Sequence, residues 1–147
     1  MSKKRGNRRL SRELVLRALY QWCLTGDDLA RLLVQAEEAE EYAEANTEFL
    51  KTLLEGVLAE AGALNLALAR HLDRSVDQLS PIEHGILLIG AYELTHSLDV
   101  PYRVAINEAV NLAKAYGGTD GHKYVNGVLD KLARETRQIE IEAEGRR

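Results

Sequence analysis

Apolar residues recur at helical spacing through nearly the whole chain, and only Pro81 and Pro101 punctuate them. A repeat of three to four residues marks helices that bury one face. Over residues 8–25, Leu10, Leu14, Ala18 and Trp22 form one stripe, with Val15, Leu19 and Cys23 beside it. Arg9, Arg12, Glu13 and Arg17 take the other, solvated side, where Glu13 can pair with Arg17 at i, i+4. Gly26-Asp27-Asp28 ends that helix. Residues 28–45 read as a short helix followed by a solvated, mobile glutamate run. Asn46 or Thr47 then caps a helix with Phe49, Leu50, Leu53, Leu54, Val57 and Leu58 on its core face, broken at Gly62 or continuing to about Leu72.

Ser80-Pro81-Ile82-Glu83 is the sharpest start signal. Ser80 can accept from the amide of Glu83, the Glu83 carboxylate can reach back, and Pro81 suits the first helical position. The segment after it is apolar almost all round from Ile82 to Leu94, as a buried central helix would be. Pro101 opens another helix, over about 102–116, with Gly117-Gly118 as a left-handed stop. Thr119 or Asp120 caps a last helix carrying Val125, Val128, Leu129 and Leu132, with Gly127 placed for close helix contact. The charged tail from Gln138 is expected to fray. No strand pattern survives, so the chain reads as all-α, a single domain over 1–147 with 1–8 and 138–147 flexible. A chain of 147 residues can bury about 68–70% of its unfolded surface and needs no metal or disulfide to hold it.

Charge is segregated rather than balanced. The net charge is −4, yet residues 1–12 carry Lys3, Lys4, Arg5, Arg8, Arg9 and Arg12 without an acid, while residues 32–50 carry six glutamates without a base. A basic arm on an acidic chain can still hold phosphates, because screening confines its field to about 8–10 Å. The one cysteine, Cys23, cannot form an internal disulfide and reads as a small buried hydrophobe. No leader-type apolar core follows the basic start, and unbroken apolar runs such as Ile86–Ile89 are far too short to cross a bilayer. A reducing, cytoplasmic setting is expected.

The chemistry-bearing residues point away from catalysis. His71, His84, His96 and His122 have no metal-ligand spacing among them, and no cofactor or metal is expected. No nucleophile–base–orienter set is evident. The 117–123 segment lacks the spacing and strand context of a phosphate loop. Arg8, Arg9 and Arg12, fixed on the first turns of a helix, can pair with phosphates or stack on bases. Tyr20 on the same helix, and Tyr124 beside His122 and Lys123, can stack a splayed base or lie half-buried. Asp120 can repel an anion from the helix start, or accept from a base edge or an arginine. Asn107, Asn111 and Lys114 share one face, Asn126 and Asp130 another, and most of these read as solvated.

Three stretches carry a family resemblance. Residues 9–22, from Arg9-Leu10-Ser11-Arg12-Glu13 to Ala18-Leu19-Tyr20-Gln21-Trp22, resemble the first helix of the NusB family. Leu53-Leu54-Glu55-Gly56-Val57 resembles its middle. The strongest matches are Asp99-Val-Pro-Tyr-Arg-Val-Ala-Ile-Asn-Glu-Ala-Val and Asp120-Gly-His-Lys-Tyr-Val-Asn-Gly-Val-Leu-Asp-Lys. Residues 28–48 match poorly. The resemblance implies about seven helices in two packed helical subdomains. It implies a non-enzymatic transcription antitermination factor that binds boxA of ribosomal RNA leaders together with NusE, a small-subunit ribosomal protein, and meets other Nus factors and RNA polymerase indirectly. By position it assigns RNA contact to Arg8, Arg9 and Arg12, more loosely to Lys3 and Lys4, and to Tyr20, Asp120 and Tyr124, with Lys123 alongside. Tyr124 stands where the family often has Phe. Glu83 matches a glutamate near NusE and RNA. The alternatives are an accessory module of an RNA methyltransferase system, which would need a Gly-rich cofactor turn the sequence lacks, and a homodimer that covers its own arginine face.

Overall fold

The computed structural model describes residues 7–145. Among them are seven α-helices: α1 (Arg8–Thr25), α2 (Leu29–Glu37), α3 (Thr47–Ala69), α4 (Pro81–His96), α5 (Tyr102–Tyr116), α6 (Gly121–Thr136) and α7 (Gln138–Gly145). Two 3₁₀ turns, Glu40–Glu44 and Val76–Gln78, stand between them. Extended pairing among the described residues amounts to one isolated bridge, Asn7 to Ala45. The chain divides into two compact units at Glu60 and Ala61, with α3 running through the division.

In the first unit, Asn7 fixes where α1 begins. Its side-chain oxygen accepts from the Leu10 amide at 3.1 Å, and its own amide donates to the Glu44 carbonyl at 3.1 Å. Ser11, fully buried, donates to the Asn46 carbonyl at 2.7 Å and so ties α1 to the start of α3. Asn46 caps α3 by accepting from the Phe49 amide at 3.0 Å. Gly26, at φ 73°, is the left-handed stop of α1. The glutamate run is more structured than its charge suggests. Arg17 meets Glu41 through two hydrogen bonds, at 2.8 and 3.3 Å, which tie α1 to the first 3₁₀ turn. Arg17 holds the Glu41 carboxyl below its ordinary range.

By length and hydropathy alone, α3 is long enough to cross a membrane, although Lys51, Glu55, Glu60 and Asn65 divide it into short apolar runs. Leu50, Leu53, Leu54, Val57, Leu64 and Leu68 are buried, so it is a core helix, and Gly62 does not break it.

The second unit is built on α4, buried without interruption from Gly85 to Ala91 and flanked by α5 and α6. Gly90 permits the close approach: a Cβ there would stand 2.5 Å from a Leu129 methyl carbon. Gly127, expected in that role, faces open space instead. Gly117 differs from expectation too. Its φ is −85°, and what excludes a side chain is the Ala113 carbonyl, 2.7 Å from where a Cβ would sit. The left-handed residue of that loop is Asp120 at φ 64°.

The tail expected to fray forms α7. Glu140 accepts from the Tyr102 amide at 3.0 Å, and Glu144 accepts from Arg103 at 2.9 Å and from the Tyr102 hydroxyl at 3.3 Å. Glu140 thus satisfies one open amide at the α5 start, and both carboxylates lie near its positive dipole end. Arg137, 5% exposed, is the link between α6 and α7. It donates to the carbonyls of Leu94 at 2.8 Å, Glu93 at 3.0 Å and Ser97 at 3.0 Å, and to the Glu140 carboxylate at 2.6 Å. One guanidinium thus satisfies the carbonyls at the C-terminal end of the central helix, where a positive charge is also favoured.

Candidate functional site

The sequence-identified residues fall on both units, and each group has its own geometry. Lys3 and Lys4 lie outside the described residues. In the first unit, the Arg8 guanidinium stands 4.4 Å from the Phe49 ring centroid and that of Arg12 4.9 Å. Both distances are within cation–π range. Arg12 was expected on the solvated side of α1, but it is only 4% exposed. Four residues after Arg8, it lies on the same side of α1, and both guanidiniums meet Phe49. Arg8 and Arg9 are exposed. Tyr20 is 39% exposed, on the same helix. Eleven residues at 100° each bring Tyr20 within about 20° of Arg9, about 16 Å along the axis. Cys23, expected to be buried, is exposed.

In the second unit, the start of α6 meets the loop before α4. Asp120 occupies the cap position without capping: its side chain accepts no helix amide, and its carboxylate stands 3.5 Å from the Lys123 ammonium. Both are largely exposed. Tyr124 is half-buried, and its hydroxyl accepts from the Asp73 amide at 3.3 Å. Arg74 lies over its ring at 4.4 Å and is gripped by both Asp73 oxygens, at 2.7 and 3.2 Å. Burial pushes the Tyr124 hydroxyl up, while Arg74, and then the Tyr124 hydroxyl, hold the Asp73 carboxyl below its usual range. Glu83 makes half of the expected capping box. Its amide donates to the Ser80 hydroxyl at 3.1 Å, but one carboxylate oxygen faces Gly121, 3.1 Å from where a Cβ would sit. Glycine at 121 therefore leaves room for Glu83 beside the start of α6.

Phe49, Asp73 and Arg74 were not singled out from sequence. Phe49 reads as a core residue by period, and neither it nor Asp73-Arg74 carries a local signal for what it will stack on. His84 is also more defined than its sequence suggests. Its Nε2 lies 2.7 Å from the Asn65 side-chain oxygen, and burial holds its pKa below the ordinary 6.5, against the opposing charge of Asp77. The folded chain thus favours the neutral ring, and the unfolded chain takes up the proton first. Stability is full above pH 6.5 and declines as pH falls from there through the folded value. Chemical denaturation of His84→Gln at pH 7.5 and pH 5 should show a smaller acid loss than the parent; an equal loss would assign it to other groups.

Among the described residues no group of three or more His, Cys, Asp or Glu is placed to hold a metal. What the described residues of the two units define is an all-helical protein in which arginines stack on aromatic rings. Comparison with known proteins gives this class its family. A model described as the NusB family matches residues 9–134. The transcription antitermination protein NusB of Thiobacillus denitrificans is 53% identical over 137 residues, which cover 93% of this chain and 94% of that protein. The protein of the same name from Bordetella pertussis is 50% identical over 147 residues, covering 97% and 96%. Among solved structures, NusB of T. maritima matches with a TM-score of 0.81 at 30% identity, covering 93% of this chain and 98% of that one. Antitermination factor NusB, solved with NusE and dsRNA, matches in fold with a TM-score of 0.76 at 24% identity, covering 92% and 99%. The chain belongs to the NusB family. This is a family of transcription antitermination proteins rather than enzymes.

Proposed function

We propose that this chain binds single-stranded boxA RNA of ribosomal RNA leaders together with NusE, in the cytoplasm, within a Nus-factor complex on RNA polymerase. The observation that carries the reading is the placement of Arg9 and Tyr20 on one stripe of α1 in a member of this family. That a related protein of this fold has been solved with NusE and RNA supports it. Arg8 and Arg9, with Lys3 and Lys4 before them, supply phosphate contacts, and Tyr20 supplies a ring for a splayed base. On the second unit, Tyr124 with Lys123 offers a further contact. The exposed Asp120 carboxylate, not engaged in capping, is available to accept from a base edge. Glu83 faces NusE or RNA from the start of α4. Arg12 acts in this reading as a positioning residue that holds α1 against Phe49.

Single variants separate these roles. Arg9→Ala and Tyr20→Ala should weaken RNA binding while leaving helix content and thermal midpoint unchanged. Tyr124→Ala should cost about 1–3 kcal/mol of RNA binding, the loss expected when one base loses its stacking platform, whether that is the ring itself or the guanidinium it carries. Arg12→Ala should lower the thermal midpoint itself, because it removes buried packing. Fluorescence titration of labelled RNA beside circular dichroism reads both. Undiminished binding by both Arg9→Ala and Tyr20→Ala would remove α1 from the RNA surface.

A further inference from the structure

We propose that Arg74 is an RNA-contacting residue, and that its guanidinium plane, mounted on Tyr124, is the surface on which a base stacks. This rests on the RNA-binding reading above and extends it to a residue outside the family motifs quoted from the sequence. Arg74 lies over the Tyr124 ring at 4.4 Å, so a base approaching that face meets the guanidinium before the ring. Asp73 fixes the plane by engaging both Nε and one terminal nitrogen, at 2.7 and 3.2 Å. The Tyr124 hydroxyl accepts from the Asp73 amide at 3.3 Å, which anchors the loop to the ring carrying its arginine. The Arg74 side chain remains 40% exposed, leaving its outer face open to a partner. A guanidinium stacks on a planar base as it does on an aromatic ring. Its charge is already met by Asp73, so Arg74 contributes a plane more than a phosphate counter-charge. Tyr124 and Asp73 are then positioning residues acting through Arg74.

The test is titration of a single-stranded boxA oligonucleotide, with NusE present, into the parent chain and into Arg74→Ala, Arg74→Lys, Tyr124→Ala and the Arg74→Ala/Tyr124→Ala double variant. Arg74→Ala should lose about 10-fold in affinity, the scale of one stacked base. Arg74→Lys should lose nearly as much, since it keeps the charge without the plane. The double variant should lose no more than either single one, and the salt dependence of Arg74→Ala should match that of the parent. Thermal midpoints show whether each variant is folded; Arg74→Gln serves if Arg74→Ala is not. Full rescue by lysine, with a shallower salt dependence in Arg74→Ala, would make Arg74 a phosphate contact and overturn the proposal. Tighter binding by Arg74→Ala would make the arginine a cover over Tyr124 and also overturn it. Parent binding with an unchanged Arg74→Ala defeats this inference alone, whereas a parent chain that does not bind defeats the RNA-binding reading itself.

Discussion

Replacing Arg137 with methionine should lower the free energy of unfolding by about 3 kcal/mol or more, as expected when one partner of a buried charged network is removed. The carbonyls of Glu93, Leu94 and Ser97 all accept from this one guanidinium. Methionine fills much of the stem's volume and donates to none of them. The Glu93 and Ser97 carbonyls keep backbone donors, the amides of Ser97 at 3.1 Å and Val100 at 2.9 Å, so the loss falls chiefly on the Leu94 carbonyl and on the Glu140 carboxylate, which loses its charged partner. A buried acceptor left unpaired costs about 1–3 kcal/mol, partly recovered by water and relaxation. For a chain of this size the loss corresponds to about 6–12 °C in thermal midpoint. Arg137→Lys should recover only part of it, since an ammonium cannot reproduce the guanidinium's spread of donors. Urea unfolding checks both variants. A change of less than about 0.5 kcal/mol in Arg137→Met, the range of an ordinary surface substitution, would show that the end of α4 does not depend on this residue.

The second large effect is on RNA affinity. Binding should weaken about 100-fold between 50 and 200 mM salt, given about five phosphate contacts and a slope of about −0.7 per contact for single strands. The candidates for those contacts are Lys3, Lys4, Arg8, Arg9 and Lys123. Burial of Arg12 removes it from a count that the sequence would have put at six or more. Arg9→Ala should flatten the slope by about 0.7, while Tyr20→Ala lowers affinity at every salt concentration without changing it. A salt-independent affinity in the parent would show that the basic arm does not meet phosphate.

Much of the fold is legible because its signals are local. Gly26, Asn46 and the Ser80-Pro81 start lie within a few residues of the helix ends they set. The departures come from contacts between segments distant in sequence. Arg17 pairs with Glu41, twenty-four positions away, and this draws the glutamate run into a 3₁₀ turn. Glu140 and Glu144 find the start of α5, and a tail that looks merely charged becomes a helix. Gly90 rather than Gly127 meets a neighbour because the side of a helix facing its partner depends on packing. The site divides in the same way. The arginines, Tyr20 and the 120–124 segment are visible as motifs. That Arg12 is spent on Phe49 and that Tyr124 carries Arg74 are facts of tertiary stacking, and neither Phe49 nor Arg74 has a neighbour in sequence that announces it.

The central claim is sequence-selective RNA binding shared with NusE. The direct measurement is titration of a boxA oligonucleotide and a scrambled one of equal composition at physiological salt, each with and without NusE. The account predicts that boxA with NusE binds at least about tenfold more tightly than the scrambled RNA, and that the gap narrows when NusE is omitted. Equal affinity for the two RNAs with NusE present would contradict it.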